Sequence, residues 1–314
     1  MFSRIAILLI MLIALPYYWL LMDPGPSSAP VLPIDIARLR AEAARQSGPK
    51  PTAIQYAAIA TGTRIGTLLV AGGGLKTDET AVTVWRVVTP DGDTVINAGL
   101  TPDQAMASGF GNYHPELQSR VEDWLRSAKR ILFTSEEIDH IGGLVTVLPR
   151  AHELAARIVG NTAQVAAIGD LQPAAAKALA PPVAALSGPP GYAGIAPGIA
   201  VVRTPGHLPG SQMIYVQLQN GREFLFMGDT APMHRNVKWQ RPRSRYMAEW
   251  TGHEDRAATM GWIKGLAALQ KREPQLTLVP EHDLDWLTDP LNGPGLAITA
   301  VSRSGAGTMN NARP

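Results

Sequence analysis

Thr134-Ser135-Glu136-Glu137-Ile138-Asp139-His140-Ile141-Gly142-Gly143 sets the architecture expected of this chain. It follows Arg130–Phe133, an apolar run with the length of a short buried strand. Three later segments have the same layout. Thr204-Pro205-Gly206-His207 follows Ala200–Arg203, Gly228-Asp229 follows Phe224–Met227, and Pro280-Glu281-His282-Asp283 follows Leu276–Val279. Each puts a carboxylate or an imidazole where a strand emerges, so side chains far apart in sequence can converge on one cation. Such donors suit Zn, Fe or Mn and need no thiolate. The 314 residues include no Cys, which excludes disulfide scaffolds, Cys-ligated zinc, iron–sulfur clusters and thiol nucleophiles.

Around these segments the sequence reads as one α/β domain. Hydrophobic residues make up 46% of the chain, enough for a packed core, and 28 Lys and Arg against 26 Asp and Glu leave no basic footprint for nucleic acid. Strand-like runs cover Ala53–Thr61, Thr67–Ala71, Ala81–Val88 and Thr94–Ala98, with a hairpin turn at Asp91-Gly92. Pro115–Ala128 has helical spacing, with Leu117, Val121, Trp124 and Leu125 on one face. Gln172–Gly198, rich in Ala, Pro and Gly, reads as a surface excursion. A second strand-rich block comprises Ala200–Thr204, Gln212–Gln217 and Phe224–Met227. Thr251-Gly252-His253-Glu254 reads as a capping box opening a helix to Lys271. Gly72-Gly73-Gly74 lacks the Lys-Ser/Thr of a phosphate loop, and no G-x-S-x-G is present, which argues against nucleotide binding and serine hydrolysis.

Ile5–Met22 is an 18-residue uncharged run between Arg4 and Asp23. As a helix it spans roughly 27 Å, against the ~30 Å hydrocarbon core of a bilayer. Tyr17, Tyr18 and Trp19 fit an interfacial aromatic belt. The run serves either as an uncleaved anchor or as a secretory signal; Pro30 after Ser27-Ser28-Ala29 disfavours cleavage there. The expected organisation is 1–22 as membrane anchor or signal, 23–52 as a linker with a short amphipathic helix at Ile34–Arg45, 53–301 as the domain and 302–314 as a flexible tail. With Arg4 on the cytoplasmic side, the domain lies outside the inner membrane, in the periplasm or exported.

Taken together, the four segments resemble the metallo-β-lactamase superfamily of metallo-hydrolases. The family signature T-H-x-H-x-D-H-x-G-G aligns with Thr134 to Gly143, and T-P-G-H-x-P-G-S aligns with Thr204 to Ser211. The G-D of the bridging aspartate is Gly228-Asp229, the closing P-x-H is Pro280-Glu281-His282, and Asn97-Ala98-Gly99 stands where many members carry D-x-G. The resemblance runs from Thr67 to Asp283 and implies a four-layer αββα sandwich with a dinuclear metal site at one edge of its two sheets. In the family, the first metal is held at positions that are Ser135, Glu137, His207 and Asp229 here. The second is held at Asp139, His140, Asp229 and His282. The second set is complete, whereas the first has lost both leading imidazoles. A glutamate in the position of Glu137 is similar to the H-x-E-x-D-H of the iron-binding flavodiiron branch.

The resemblance thus implies a metal set of Glu137, Asp139, His140, His207, Asp229 and His282. It holds one or two Zn2+ ions, with Fe or Mn open. Asp139 is the expected catalytic residue, orienting a metal-activated water. Ser135, facing that water, and His234, in the pocket wall after the bridging aspartate, are the expected substrate contacts. The implied activity is hydrolysis of a small ester, lactone or related acyl compound. Two alternatives stay open: a diiron oxidoreductase with an external electron donor, and a non-catalytic metal- or ligand-binding member of the fold. Of the remaining histidines, His114 reads as a capping or loop residue, His152 as structural and His253 as a helix-start residue without chemistry. Lys238, Arg241, Arg243 and Arg245, with Trp239 and Tyr246 nearby, form a basic run that suits an exposed loop, a substrate anion or lipid headgroups.

Overall fold

In the computed structural model, which describes residues 2–188 and 190–298, the chain opens with α1 (Phe2–Tyr17) and α2 (Ile36–Ala44). The first half of the domain comprises β1 (Ala53–Ile65), α3 (Gly66–Leu69), β2 (Thr77–Val88), β3 (Thr94–Ile96), α4 (Pro102–Ala107), β4 (Asn112–Tyr113), α5 (Pro115–Ser127) and β5 (Arg130–Leu132). Then come α6 (Ile138–Ile141), α7 (Leu144–Val147), α8 (Thr162–Leu171), β6 (Tyr192–Ala196), β7 (Ile199–Arg203), β8 (Gln212–Gln217) and β9 (Glu223–Phe226). Last are α9 (His234–Trp239), α10 (Arg256–Arg272), β10 (Leu276–Val279), α11 (Leu284–Thr288) and β11 (Ala297–Ile298). The tail expected at 302–314 and the last residues of the expected domain, 299–301, lie outside the described residues.

The strands form two sheets, one ordered β11-β1-β2-β3-β5 with β4 added to β1, the other β10-β9-β8-β7-β6. Alternation along the strands divides the core into layers. Tyr56, Trp85, Val87 and Ile96 of the first sheet face Val201, Ile214, Phe224 and Phe226 of the second, with the Trp85 and Phe226 rings 5.0 Å apart. Residues of opposite parity point outward. Ala57, Ile59, Val82 and Val84 pack with Leu117, Val121 and Leu125 of α5. Ala200, Val202, Met213 and Tyr215 pack with Leu39 of α2 and Ile263 and Leu266 of α10. Helices on both outer faces of two stacked sheets make an αββα sandwich.

Topology gathers the candidate ligands. β7 and β9 are both antiparallel to β8, and β10 is parallel to β9, so the three strands run the same way. Their carboxyl ends share one edge, and His207, Asp229 and His282 follow those ends in sequence.

Four local expectations are corrected. Thr67–Ala71 is not a strand: α3 starts the segment, and the chain turns back through Thr67 N to Gly74 O (2.9 Å) and Gly66 N to Lys76 O (2.7 Å). The segment 23–52 is not a free linker, because Ile34, Ile36, Leu39 and Ala43 are buried in the outer core. Gln172–Gly198 ends in β6, an edge strand paired to β7, since Tyr192 and Ala193 have a core to enter. The helix after residue 251 starts at Arg256, capped by Asp255, whose carboxylate accepts from Ala257 N and Ala258 N. Glu254 is drawn inside instead, onto the Arg243 guanidinium.

Candidate metal centre

The loop after β3 shapes the signature segment. Asn97 takes a left-handed conformation (φ 66°), which lets its side chain tie two other segments. Its Oδ1 accepts from Thr134 N at 3.1 Å, and its Nδ2 donates to Glu281 Oε1 at 2.8 Å. Behind it, Ala98 N donates to His140 O and Gly143 N to Gly99 O. A Cβ on Gly143 would strike the Ala98 carbonyl, and one on Gly228 (φ 55°) would sit 2.9 Å from Thr134 Cβ. Close backbone approach thus accounts for glycine at both motif positions.

The six expected ligands come together. Asp139, His140 and His282 form one group and Glu137, His207 and Asp229 another, each with donor atoms within 4.8 Å of one another. Asp229 faces both: its Oδ2 is 3.0 Å from His140 Nε2 and 3.8 Å from His207 Nε2, and its Oδ1 is 3.1 Å from His282 Nε2. Glu137 Oε2 lies 2.6 Å from His207 Nε2. Asp139 Oδ1, His140 Nε2 and both Asp229 oxygens are nevertheless buried without a hydrogen-bond partner. Close approach without aligned hydrogen bonds is the arrangement of donors aimed at a shared point, and it fits a divalent cation.

The opposite ring nitrogens are fixed from behind, as ligand imidazoles require. His282 Nδ1 lies 2.8 Å from Ala81 O, so its Nε2 faces the cluster. His140 Nδ1 is 3.0 Å from Thr134 Oγ1 and 2.9 Å from Ser135 Oγ, and the Thr134 hydroxyl also reaches Glu281 Oε2 at 3.1 Å. His207 Nδ1 is 3.5 Å from Glu254 Oε1 and contacts Arg243.

Charge follows this geometry. Burial pushes the His282 imidazole down, but Asp229, Asp139 and Glu281 outweigh it and hold the group up at about 9. At His207, burial and Arg243 both depress the imidazole, while Glu137, Glu254 and Asp229 raise it to about 9. Burial raises the Glu137 carboxyl, yet His207 brings it down to about 2. Asp229 is likewise pushed up by burial and held well below the usual carboxylate range by His282 and His140. Burial leaves Asp139 and Glu281 raised. A field that retains protons on buried imidazoles also draws a divalent cation, which displaces those protons.

A cavity of 220 Å³ opens onto the donors, its wall including Arg64, Leu69, Phe110, Arg243 and Met247. The Arg64 guanidinium lies 4.9 Å from the Phe110 ring centre and donates to the Ser108 carbonyl. Arg243 is paired with the buried Glu254. The basic run had marked Arg243. Arg64 carried no signal, because it lies beyond the expected end of its strand. Glu281, the free position of P-x-H, shows its role only through its contacts with Asn97 and Thr134.

The two expected substrate contacts stand elsewhere. Ser135 is fully buried, and its hydroxyl meets His140 Nδ1 and accepts from Glu137 N at 3.2 Å, so it is turned toward His140 and does not line the cavity. The ring of His234, which opens α9, stacks on Trp286 at 5.5 Å, while its backbone N–H donates to Asp283 Oδ2. It belongs to a separate depression with Asp78 and Arg235, because α9 turns away from the cavity after Pro232.

No family model and no curated protein matches the sequence. Solved structures match its fold. The chain is similar to a quorum-quenching N-acyl homoserine lactone lactonase at 15% identity, with a TM-score of 0.59 over 80% of this chain and 99% of that one. It is similar to an N-acyl homoserine lactone hydrolase with the product N-hexanoyl-L-homoserine bound at its catalytic metal centre, at 16% identity. The TM-score there is 0.56, over 75% of this chain and 95% of that one. A probable metal-dependent hydrolase from Staphylococcus aureus is similar at 15% identity, with a TM-score of 0.54 over 76% and 91% of the two chains. At such identities the likeness establishes a shared fold.

Proposed function

We propose that this chain, which has the metallo-β-lactamase fold, is a metal-dependent hydrolase of small acyl esters or lactones. The observation that carries the reading is the convergence of Glu137, Asp139, His140, His207, Asp229 and His282 on one cavity, with buried donor atoms that lack a protein partner. Asp139, His140, Asp229 and His282 would hold one ion, and Glu137, His207 and Asp229 would hold a second. Zinc suits this imidazole–carboxylate set, which Fe and Mn also fit. A divalent cation held there would supply Lewis acidity, lowering the pKa of water and polarising a carbonyl.

The chain's own residues do the rest. Asp139 lines the cavity beside His282, where its carboxylate is placed to orient the attacking water. Arg64 and Arg243, also in the wall, offer N–H donors to the oxygens of the acyl group. Glu254 holds Arg243 in place, and Thr134, Ser135 and Glu281 hold His140. Two of the similar proteins act on N-acyl homoserine lactones, which supports including lactones in the substrate range.

α1 and the turn after it complete the proposal. Arg4–Met22 is a 19-residue stretch of mean hydropathy 2.4 with none of it buried, long and apolar enough to cross a membrane. As an anchor it holds the domain outside the inner membrane.

Metal analysis of the purified full-length chain, combined with a panel of acyl esters and lactones, tests the assignment. Bound zinc with chelator-sensitive turnover supports it. Redox-active iron without hydrolysis, or neither metal nor turnover, overturns it.

A further inference from the structure

The apolar helix is fastened to the domain. After α1, the π-helical turn Tyr18–Met22 docks on α3: Leu21 O accepts from Thr67 Oγ1 at 2.8 Å and from Gly72 N at 2.9 Å. The next residue, Asp23, binds Arg245 at 2.6 Å and Arg256 at 3.1 Å. The Arg245 guanidinium covers the Trp19 ring at 4.6 Å, and Trp19 meets Trp250 edge-on at 6.2 Å. Trp250 in turn meets Tyr246, with ring centres 6.5 Å apart. The aromatics that end the apolar helix are therefore continued by aromatics of the domain.

These rings are open to their surroundings. Trp250 is 57% exposed and Tyr246 40%, although both carry large apolar faces. Rings with an apolar body and a polar tip, placed at the end of a membrane-length apolar helix, match the headgroup layer of a bilayer. The turn Tyr246–Thr251 also reaches the catalytic cavity through Met247. Leu69, on the helix that holds Leu21 through Thr67, lines the cavity as well. The turn thus carries both the aromatic face and part of the cavity wall, while α3 joins the end of the apolar helix to that wall.

We propose that the face bearing Tyr246 and Trp250, continuous with Trp19, lies in the headgroup layer of the membrane that α1 crosses, and that the cavity takes amphiphilic acyl substrates from that layer. The inference rests on the anchor reading of α1 and, for the substrate, on the hydrolase reading.

Because the chain has no Cys, single nitroxide labels report its depth in a membrane. Four full-length variants, Leu12→Cys, Tyr246→Cys, Trp250→Cys and Asp123→Cys, are labelled and reconstituted in phosphatidylcholine–phosphatidylglycerol vesicles. Asp123 lies on α5 with 73% of its side chain exposed and serves as the aqueous control. Collisions with dissolved oxygen and with a water-soluble nickel chelate are then compared. Oxygen dominates at position 12, the chelate dominates at 123, and positions 246 and 250 fall between them on the oxygen side. If 246 and 250 match 123 while 12 is immersed, the docking is wrong and the anchor stands. If 12 also matches 123, the anchor reading falls and takes this inference with it. Shielding of 246 and 250 from both reagents indicates a protein occupant and overturns the lipid assignment.

A second arm addresses the substrate. Tyr246→Ser/Trp250→Ser should lower turnover of a vesicle-borne long-chain ester about tenfold relative to a water-soluble short-chain ester, about 1.4 kcal/mol of interfacial binding. Equal turnover loss on both, or none, overturns the substrate assignment. Absence of turnover on either ester in the unmodified chain overturns the hydrolase reading, and the depth measurement stands apart from it.

Discussion

Thr134 stands between His140 and Glu281, and its hydroxyl helps decide how the His140 ring is turned. Thr134→Val keeps the shape of the side chain and removes both contacts. Losing such an outer partner should weaken metal binding by about 10–100-fold, read by competition with a chromogenic chelator. Asp229 acts more directly, since its two oxygens face His140, His207 and His282. Asp229→Ala should lose bound metal and hydrolysis together, measured by elemental analysis and turnover; activity without metal would contradict the proposed chemistry. His234→Ala is the contrasting case. Its ring stacks on Trp286 outside the cavity, so metal content and kcat should stay at the unmodified level.

Among the elements, α2 ties the segment before the domain to the second sheet. Leu39 is fully buried there, and Leu39→Ala should cost about 2–5 kcal/mol in denaturant unfolding. On the same helix, Arg40 bonds to Glu223 of β9 and to Glu273 beyond α10. Burial pushes the Glu223 carboxyl up, and bonds from Arg40 and Tyr215 more than offset it, leaving it below its ordinary value. A carboxyl lowered in the folded state adds stability that is fully present above its unfolded value of about 4.3 and is lost as pH falls through the folded one. The difference in urea midpoint between the unmodified chain and Glu223→Gln should therefore shrink on acidification below about pH 5. A difference that grows with acid would show that the carboxylate is not what stabilises the contact. α3 shows the limit of reading single elements. Its apolar residues suit a strand, but Gly72, Gly73 and Gly74 let the chain reverse, and Leu69 and Val70 then pack with Met233.

At the scale of the whole molecule, the candidate centre draws on both sheets, so a metal bound there would staple them together. Candidate ligands come from the segment after β5 in one sheet and from those after β7, β9 and β10 in the other. A cation bound only by the folded chain stabilises it by mass action, about 2.7 kcal/mol at a free concentration one hundred times the dissociation constant. Removing the metal with a chelator should lower the Tm, and readding zinc should restore it, as followed by calorimetry. An unchanged Tm would mean that the six side chains hold their geometry without help from an ion.

The two-sheet core and the ordering of the metal-centre segments were legible in the sequence because both are local patterns. Apolar runs around Tyr56, Trp85 and Phe226 mark strands buried on both faces, and a His or Asp just past a strand end is placed by the strand itself. The chain alone therefore determined which residues arrive at the sheet edge. Only the tertiary structure decided which way they turn: Ser135 toward His140, His234 toward Trp286, Glu254 into Arg243, and the end of the apolar helix onto α3. The reason is physical. A polar side chain's orientation is set by the partners that satisfy its hydrogen bonds and charge, and here those partners come from segments that only the completed fold brings into contact.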